Sequence, residues 1–138
     1  MRIILDTNVL VSGLFPKKSP PTIIVDFIIE GYIEICYSIP IFTEYREVLK
    51  RPKFKFSKEK VEIILNYIRH EGYLTLSSSI ESLKLPDIDD IVFLEAAING
   101  KADYLVTGNT KHFPKKYCKN IKVVTPRNFI EILEKEIF

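Results

Sequence analysis

The stretch Arg2-Ile3-Ile4-Leu5-Asp6-Thr7-Asn8 decides the fold. Three apolar residues run straight into an acid, two small polar residues follow, and a new apolar run starts at Val9. An all-apolar run this short, ended by an acid, predicts a central strand over residues 2–6 that is buried on both faces. Asp6 then stands at the strand's carboxyl end, the edge at which open α/β sheets bind their ligands.

Working outward, the chain alternates strand and helix. Residues 8–15 read as a short helix capped by Thr7 or Asn8, and 16–21 as a loop. Ile23, Ile24, Phe27 and Ile28 mark a helix over 21–31, stopped by Gly31. A strand is expected at 33–37. A helix over 40–50 buries Phe42, Tyr45, Val48 and Leu49 and ends at Pro52. Ser57 caps a further helix (57–71) with Val61, Ile64, Leu65 and Ile68 at helical spacing. An extended segment at 73–76 and a serine turn at 77–79 follow. A helix over 87–99, strands at 104–107 and 121–124, and a helix over 126–136 complete the chain. This order predicts a three-layer α/β/α sandwich around a parallel sheet of about five strands, with residues 1–138 as one domain. The helices 40–50 and 57–71 follow one another without a strand, so the pair is expected as an insertion, a candidate protruding arm.

Composition restricts the function. The chain is 46% hydrophobic and 28% charged, and no apolar run approaches the roughly 20 residues that span a bilayer. Asp6 interrupts the N-terminus before a signal-type apolar region forms, so a cytoplasmic protein is expected. Cys36 and Cys118 lack metal-type spacing and read as reduced, buried thiols. The net charge is only +2, yet the cations cluster. Lys50, Arg51, Lys53, Lys55, Lys58 and Lys60 interleave with Phe54 and Phe56; Lys111, His112, Lys115, Lys116, Lys119 and Lys122 form a second group. Cations around an acidic centre suit a phosphate backbone held against a metal. Each run taken alone is equally a solvated loop.

Three acidic positions carry the chemistry. Asp6 ends a buried strand, where a carboxylate is costly unless paired, although it is also a good helix cap. Glu44 lies one turn into its helix and is preferred to Glu47, nearer the helix start. Asp87, Asp89 and Asp90 exceed what one cap needs: Asp87 is the natural cap, Asp90 faces the crevice and Asp89 faces solvent. Close carboxylates repel unless a cation neutralises them, and an all-oxygen set points to Mg²⁺ or Mn²⁺ rather than zinc. Such an ion activates water and stabilises charge on a phosphoryl oxygen. No Ser-His-Asp set and no glycine-rich phosphate loop is present.

These residues carry a resemblance. Leu5-Asp6-Thr7-Asn8-Val9-Leu10-Val11-Ser12, Glu44-Tyr45-Arg46-Glu47-Val48-Leu49, the run from Asp87 to Ala97 and the run from Ala102 to Asn109 resemble, in order, the four blocks of PIN-domain proteins. The chain looks most like the small single-domain members of VapC type. That resemblance implies a Mg²⁺- or Mn²⁺-dependent endoribonuclease, the toxin of a toxin–antitoxin pair, acting on RNA, blocked by an antitoxin protein and assembled as a homodimer. Carried over by position, Asp6, Glu44 and Asp90 are the catalytic and metal-binding acids, with Asn109 as a further metal ligand. Asn8, Ser12, Asp87 and Thr107 support them, and Lys50, Arg51, Lys53, Lys55 and Lys111 hold RNA, with Phe54, Phe56 or Tyr73 available to stack a base.

One position departs from the pattern. The fourth acid is Asn109, which offers an oxygen but no charge and weakens metal affinity. The alternative reading is therefore a degenerate PIN module that binds RNA or a partner protein without cutting. A phosphotransfer domain with Asp6 as nucleophile fits less well, because Asn8 stands where such enzymes want a second acid. Ile130, Ile132, Leu133, Ile137 and Phe138 exceed one helical face and suggest a partner contact.

Overall fold

The fold comes from a computed structural model that describes residues 1–80 and 83–137. Five strands, β1 (Arg2–Leu5), β2 (Glu34–Tyr37), β3 (Tyr73–Leu74), β4 (Tyr104–Val106) and β5 (Lys122–Val124), form one sheet in the order β3-β2-β1-β4-β5. Every pairing is parallel; in the centre Ile3 pairs with Ile35 on one side and with Tyr104 on the other. Ile3, Ile4 and Leu5 are all fully buried. Successive strand side chains point to opposite faces, so burial of all three means that both faces of the sheet are covered.

The covering helices are α1 (Thr7–Gly13), α2 (Pro20–Ile29), α3 (Ile39–Leu49), α4 (Lys58–Glu71), α5 (Ile91–Asn99) and α6 (Pro126–Ile137). Helices α1 and α2 pack together, α2 meets α6, and α5 lies against β1, β2 and β4. Phe129 of α6 meets Tyr104 of β4 edge to face at 5.5 Å, anchoring the last helix to the sheet. The helix starts are set by hydroxyl caps: the Oγ atoms of Ser19, Ser38 and Ser57 accept from the backbone N–H of Thr22, Ile41 and Lys60. Gly31, at φ 86°, takes the left-handed turn that releases the chain from α2 toward β2.

Three expectations are corrected. Helix α4 is no protruding arm: Val61, Ile64, Leu65 and Ile68 are buried in the same core as the strands. The acidic run Ile88–Asp90 is a 3-10 turn rather than the first turn of α5. Tyr73 sits two strands from Asp6, beneath the Arg2 guanidinium at 3.5 Å, and so lies away from the acids, whereas Phe54, stacked on Phe56 beside Phe15, lines the cleft that holds them. Cys36 and Cys118 are both free and buried, and burial pushes the Cys36 thiol up to about 12. On α6, Leu133 is buried while Ile130 and Ile132 are partly buried against the core; the side chains of Ile137 and Phe138 lie outside the described residues.

Candidate functional site

Asp6 follows β1 directly. Its backbone N–H donates to the Val106 carbonyl at 2.9 Å, extending the β1–β4 ladder by one bond, and its own carbonyl accepts from Val9 and Leu10 to start α1. The Asp6 backbone thus occupies the cap position, but its side chain makes no capping bond. The carboxylate instead accepts from the Thr107 hydroxyl at 2.7 Å. Thr107 follows β4 and is fully buried. Two neighbouring strands, ending at the same level, thereby fix one carboxylate at the sheet's carboxyl edge.

Helix α3 brings the second acid. Buried Thr7 donates its hydroxyl to Glu44, and the fully buried Tyr45 donates its hydroxyl to the Leu5 carbonyl at 2.5 Å. Consecutive residues of α3 therefore grip consecutive stretches around Asp6. Burial, reinforced by the charges of Asp6 and Glu44, lifts the Tyr45 phenol well above its usual value and keeps it a neutral donor.

The third acid has the least comfortable setting. Asp87 caps the 3-10 turn by accepting from the Asp89 N–H at 2.9 Å, and Asp90 closes that turn. Oδ2 of Asp90 is buried and accepts no hydrogen bond. His112 Nδ1 lies 3.1 Å from it, close enough for an ion pair but outside hydrogen-bond alignment. Burial first, then the charges of Asp6 and Asp87, raise the Asp90 carboxyl above its ordinary value, while His112 pulls it back.

These side chains converge. Asp6, Asn8, Glu44, Glu47, Arg51, Lys53, Asp87, Asp89, Asp90, Asn109 and His112 line one cleft of ≈ 400 Å³. Asn109 is placed by its backbone N–H on the Thr107 hydroxyl (3.1 Å), and its amide lies 2.8 Å from His112 Nε2. Other expected residues fall outside. Ser12 is exposed on α1, Lys55 is exposed, and Lys50 borders a separate depression with Phe56 and Lys58. Lys111 belongs to a larger groove of ≈ 770 Å³ that it lines with Lys115, Lys119 and Lys122. The acids are in the smaller cleft. His112 lines the cleft and was not anticipated there, and Tyr45, fully buried, supports it from the core. Only the spacing of His112, three residues after Asn109, gave any sequence hint.

The residues fit a divalent cation on two observations. The donors are carboxylate and amide oxygens, the set that hard cations take. The buried, unpaired carboxylate oxygen of Asp90 is one that a cation would stabilise. Among the described residues no three His, Cys, Asp or Glu side chains are yet gathered as closely as an ion requires. Glu44 is turned to Thr7 and Asp6 to Thr107, and each of those bonds takes one carboxylate oxygen.

A family model described as PIN domain matches residues 2–111. The uncharacterized protein MJ1680 of Methanocaldococcus jannaschii is 32% identical over 99% of this chain and 94% of its own length. Among solved structures, VapBC2 from Rickettsia felis bound to a promoter DNA fragment aligns with TM-score 0.62 and 20% identity, covering 91% of this chain and 98% of the matched one. VapBC-1 from nontypeable Haemophilus influenzae gives TM-score 0.57 and 14% identity, covering 92% and 99%. FitAcB from Neisseria gonorrhoeae gives TM-score 0.55 and 14% identity, covering 91% and 98%. At these identities the structural likeness is one of fold.

Proposed function

The chain belongs to the PIN-domain family, and from that premise we propose that it is a divalent-metal-dependent endoribonuclease of VapC type, built as one domain over residues 1–138. Asp6, Glu44 and Asp90 hold Mg²⁺ or Mn²⁺, with Asn109 assisting, and RNA is the substrate. The observation that carries this reading is the meeting of these four side chains, from four separate parts of the chain, in one cleft with Arg51 and Lys53.

When bound, the ion supplies Lewis-acid stabilisation of charge building on a phosphoryl oxygen and lowers the pKa of water. The protein's own groups do the positioning. Thr107 and the Tyr45–Leu5 bond set where the Asp6 carboxylate stands. Thr7 sets Glu44. Arg51 and Lys53, on the same cleft wall as Phe54, bind backbone phosphates. Structural neighbours bear the names VapBC and FitAcB, and a partner protein that closes the cleft as an antitoxin fits that likeness. A homodimer working in the cytoplasm completes the reading. No helix among the described residues is long and apolar enough to cross a membrane.

The test is cleavage of single-stranded and structured RNA by purified protein with Mn²⁺. Cleavage is expected to vanish in EDTA and to fall at least about 100-fold in Asp6→Asn with the circular dichroism spectrum unchanged. No cleavage of any RNA, together with no Mn²⁺-dependent rise in Tm, overturns the proposal. A second reading rests on Asn109, which adds no charge to the cleft and engages His112 instead. It is an RNA-binding module without catalysis, and RNA affinity unchanged by EDTA and by Asp6→Ala, without cleavage, is its signature.

A further inference from the structure

We propose that His112 is a nitrogen ligand of this metal centre, oriented by Asn109, and that it turns the site's preference from Mg²⁺ toward Mn²⁺; the proposal rests on the metal-centre reading above. The imidazole stands between the two groups that matter. Nδ1 is 3.1 Å from Asp90 Oδ2, and Nε2 is 2.8 Å from the Asn109 amide.

Three physical points lead to the assignment. First, the 3.1 Å contact is not an aligned hydrogen bond, and Asp90 Oδ2 is buried without any other partner. Two metal-ligating atoms this close, without an aligned hydrogen bond between them, are placed to turn a lone pair each toward a third atom. Second, the spacing fits that third atom. Metal–ligand bonds of about 2.1 Å place adjacent octahedral donors about 3.0 Å apart. Third, the far side of the ring is already held. Metal-bound imidazoles characteristically donate the other ring N–H to a carbonyl or carboxylate, which fixes the tautomer. The structure sets Asn109 Nδ2 toward Nε2; turning the amide over, which exchanges only its O and N, makes its oxygen that acceptor.

The consequence is selectivity. Mg²⁺ takes oxygen ligands and parts reluctantly with water, whereas transition ions accept imidazole. Asn109, which adds no charge as a direct ligand, acts here as a positioning residue for the nitrogen donor.

The experiment uses the full chain with Mn²⁺ alone and Mg²⁺ alone. Dissociation constants come from calorimetry, and pulsed electron paramagnetic resonance of the Mn²⁺-loaded protein reads directly bound ¹⁴N. Wild type is expected to show nitrogen coupling. His112→Gln is expected to lose it and to bind Mn²⁺ about 10-fold more weakly, while Mg²⁺ affinity moves less than about 3-fold. Matching thermal unfolding of the metal-free proteins excludes a folding defect. Mn²⁺ bound without nitrogen coupling overturns the assignment. Tighter Mn²⁺ binding in His112→Gln also overturns it, because the ring would then be occupying the ion's place as a counter-charge. Either result leaves the nuclease reading standing if Asp6→Ala still abolishes binding. Absence of Mn²⁺ binding in wild type removes both.

Discussion

Replacing Tyr45 by phenylalanine removes one oxygen and little else. The ring stays buried, so the apolar term is almost unchanged. The hydroxyl's bond to the Leu5 carbonyl at 2.5 Å is lost, and that carbonyl is left in a fully buried residue. An unmade bond at a buried acceptor costs about 1–2 kcal/mol. For 138 residues the unfolding entropy near the midpoint is about 0.3 kcal/mol/K, so the expected fall in Tm is about 3–7 °C. Leu5 is the residue before Asp6, so the loss also loosens the position of the first acid. Differential scanning calorimetry with a urea titration reads the stability, with an unchanged urea m-value showing that the folded surface is intact. RNA cleavage in Mn²⁺ reads the second effect, expected as a lower kcat at unchanged RNA affinity. A Tm within about 1 °C of wild type would refute the argument that this bond ties α3 to β1.

Asp90→Asn is expected to raise the Tm of the metal-free protein at pH 7. The carboxyl's folded pKa is raised by burial and by Asp6, so wild-type stability falls as pH rises from the ordinary aspartate value through the raised one. The variant's advantage therefore disappears in more acidic buffer, and a metal-free wild type more stable than Asp90→Asn at pH 7 contradicts it. Gly13→Ala puts a Cβ 2.4 Å from Val25 Cγ2 and 2.8 Å from the Pro21 carbonyl oxygen, forcing α1 from α2. The overpacking is expected to cost about 1–3 kcal/mol in urea unfolding, and an unchanged midpoint would show that the two helices separate freely. The double variant Arg51→Ala/Lys53→Ala is expected to make the log–log salt dependence of single-stranded RNA binding shallower by about 1.4, with Mn²⁺ affinity preserved. An unchanged slope places the RNA elsewhere, the lysine-lined groove of Lys111 and Lys115 being the next candidate.

The parts of this molecule that were legible in the sequence are those set by local pattern. The apolar runs at Ile3–Leu5 and Tyr104–Val106 became central strands, and Ser57 became a cap. Ser19 and Ser38 cap their helices just as Ser57 does. The acids Asp6, Glu44 and Asp90, which line one cleft, are conspicuous in one dimension because each puts charge at a strand end or helix start. What stayed hidden is tertiary. Nothing in the sequence around Tyr45 shows that its hydroxyl reaches a carbonyl 40 residues away, and nothing around His112 shows that Asp90 is across the cleft. Helix α4 was misread as an arm because its buried stripe shows that it packs, without showing where.

The central place of β1 has a consequence in the order of synthesis. β1 is made before the other four strands of its sheet, yet one of its two neighbours is β4, with Ile3 beside Tyr104 and Leu5 beside Val106. The hydroxyl that holds Asp6 comes 101 residues after it. A growing chain possesses Asp6, Glu44 and Asp90 while β1 still has one bare edge and Asp6 still swings free. Contacts this distant in sequence close late and slowly. Assembly of the centre therefore waits for the last third of the chain, and the acids acquire their common geometry in one late step rather than one by one.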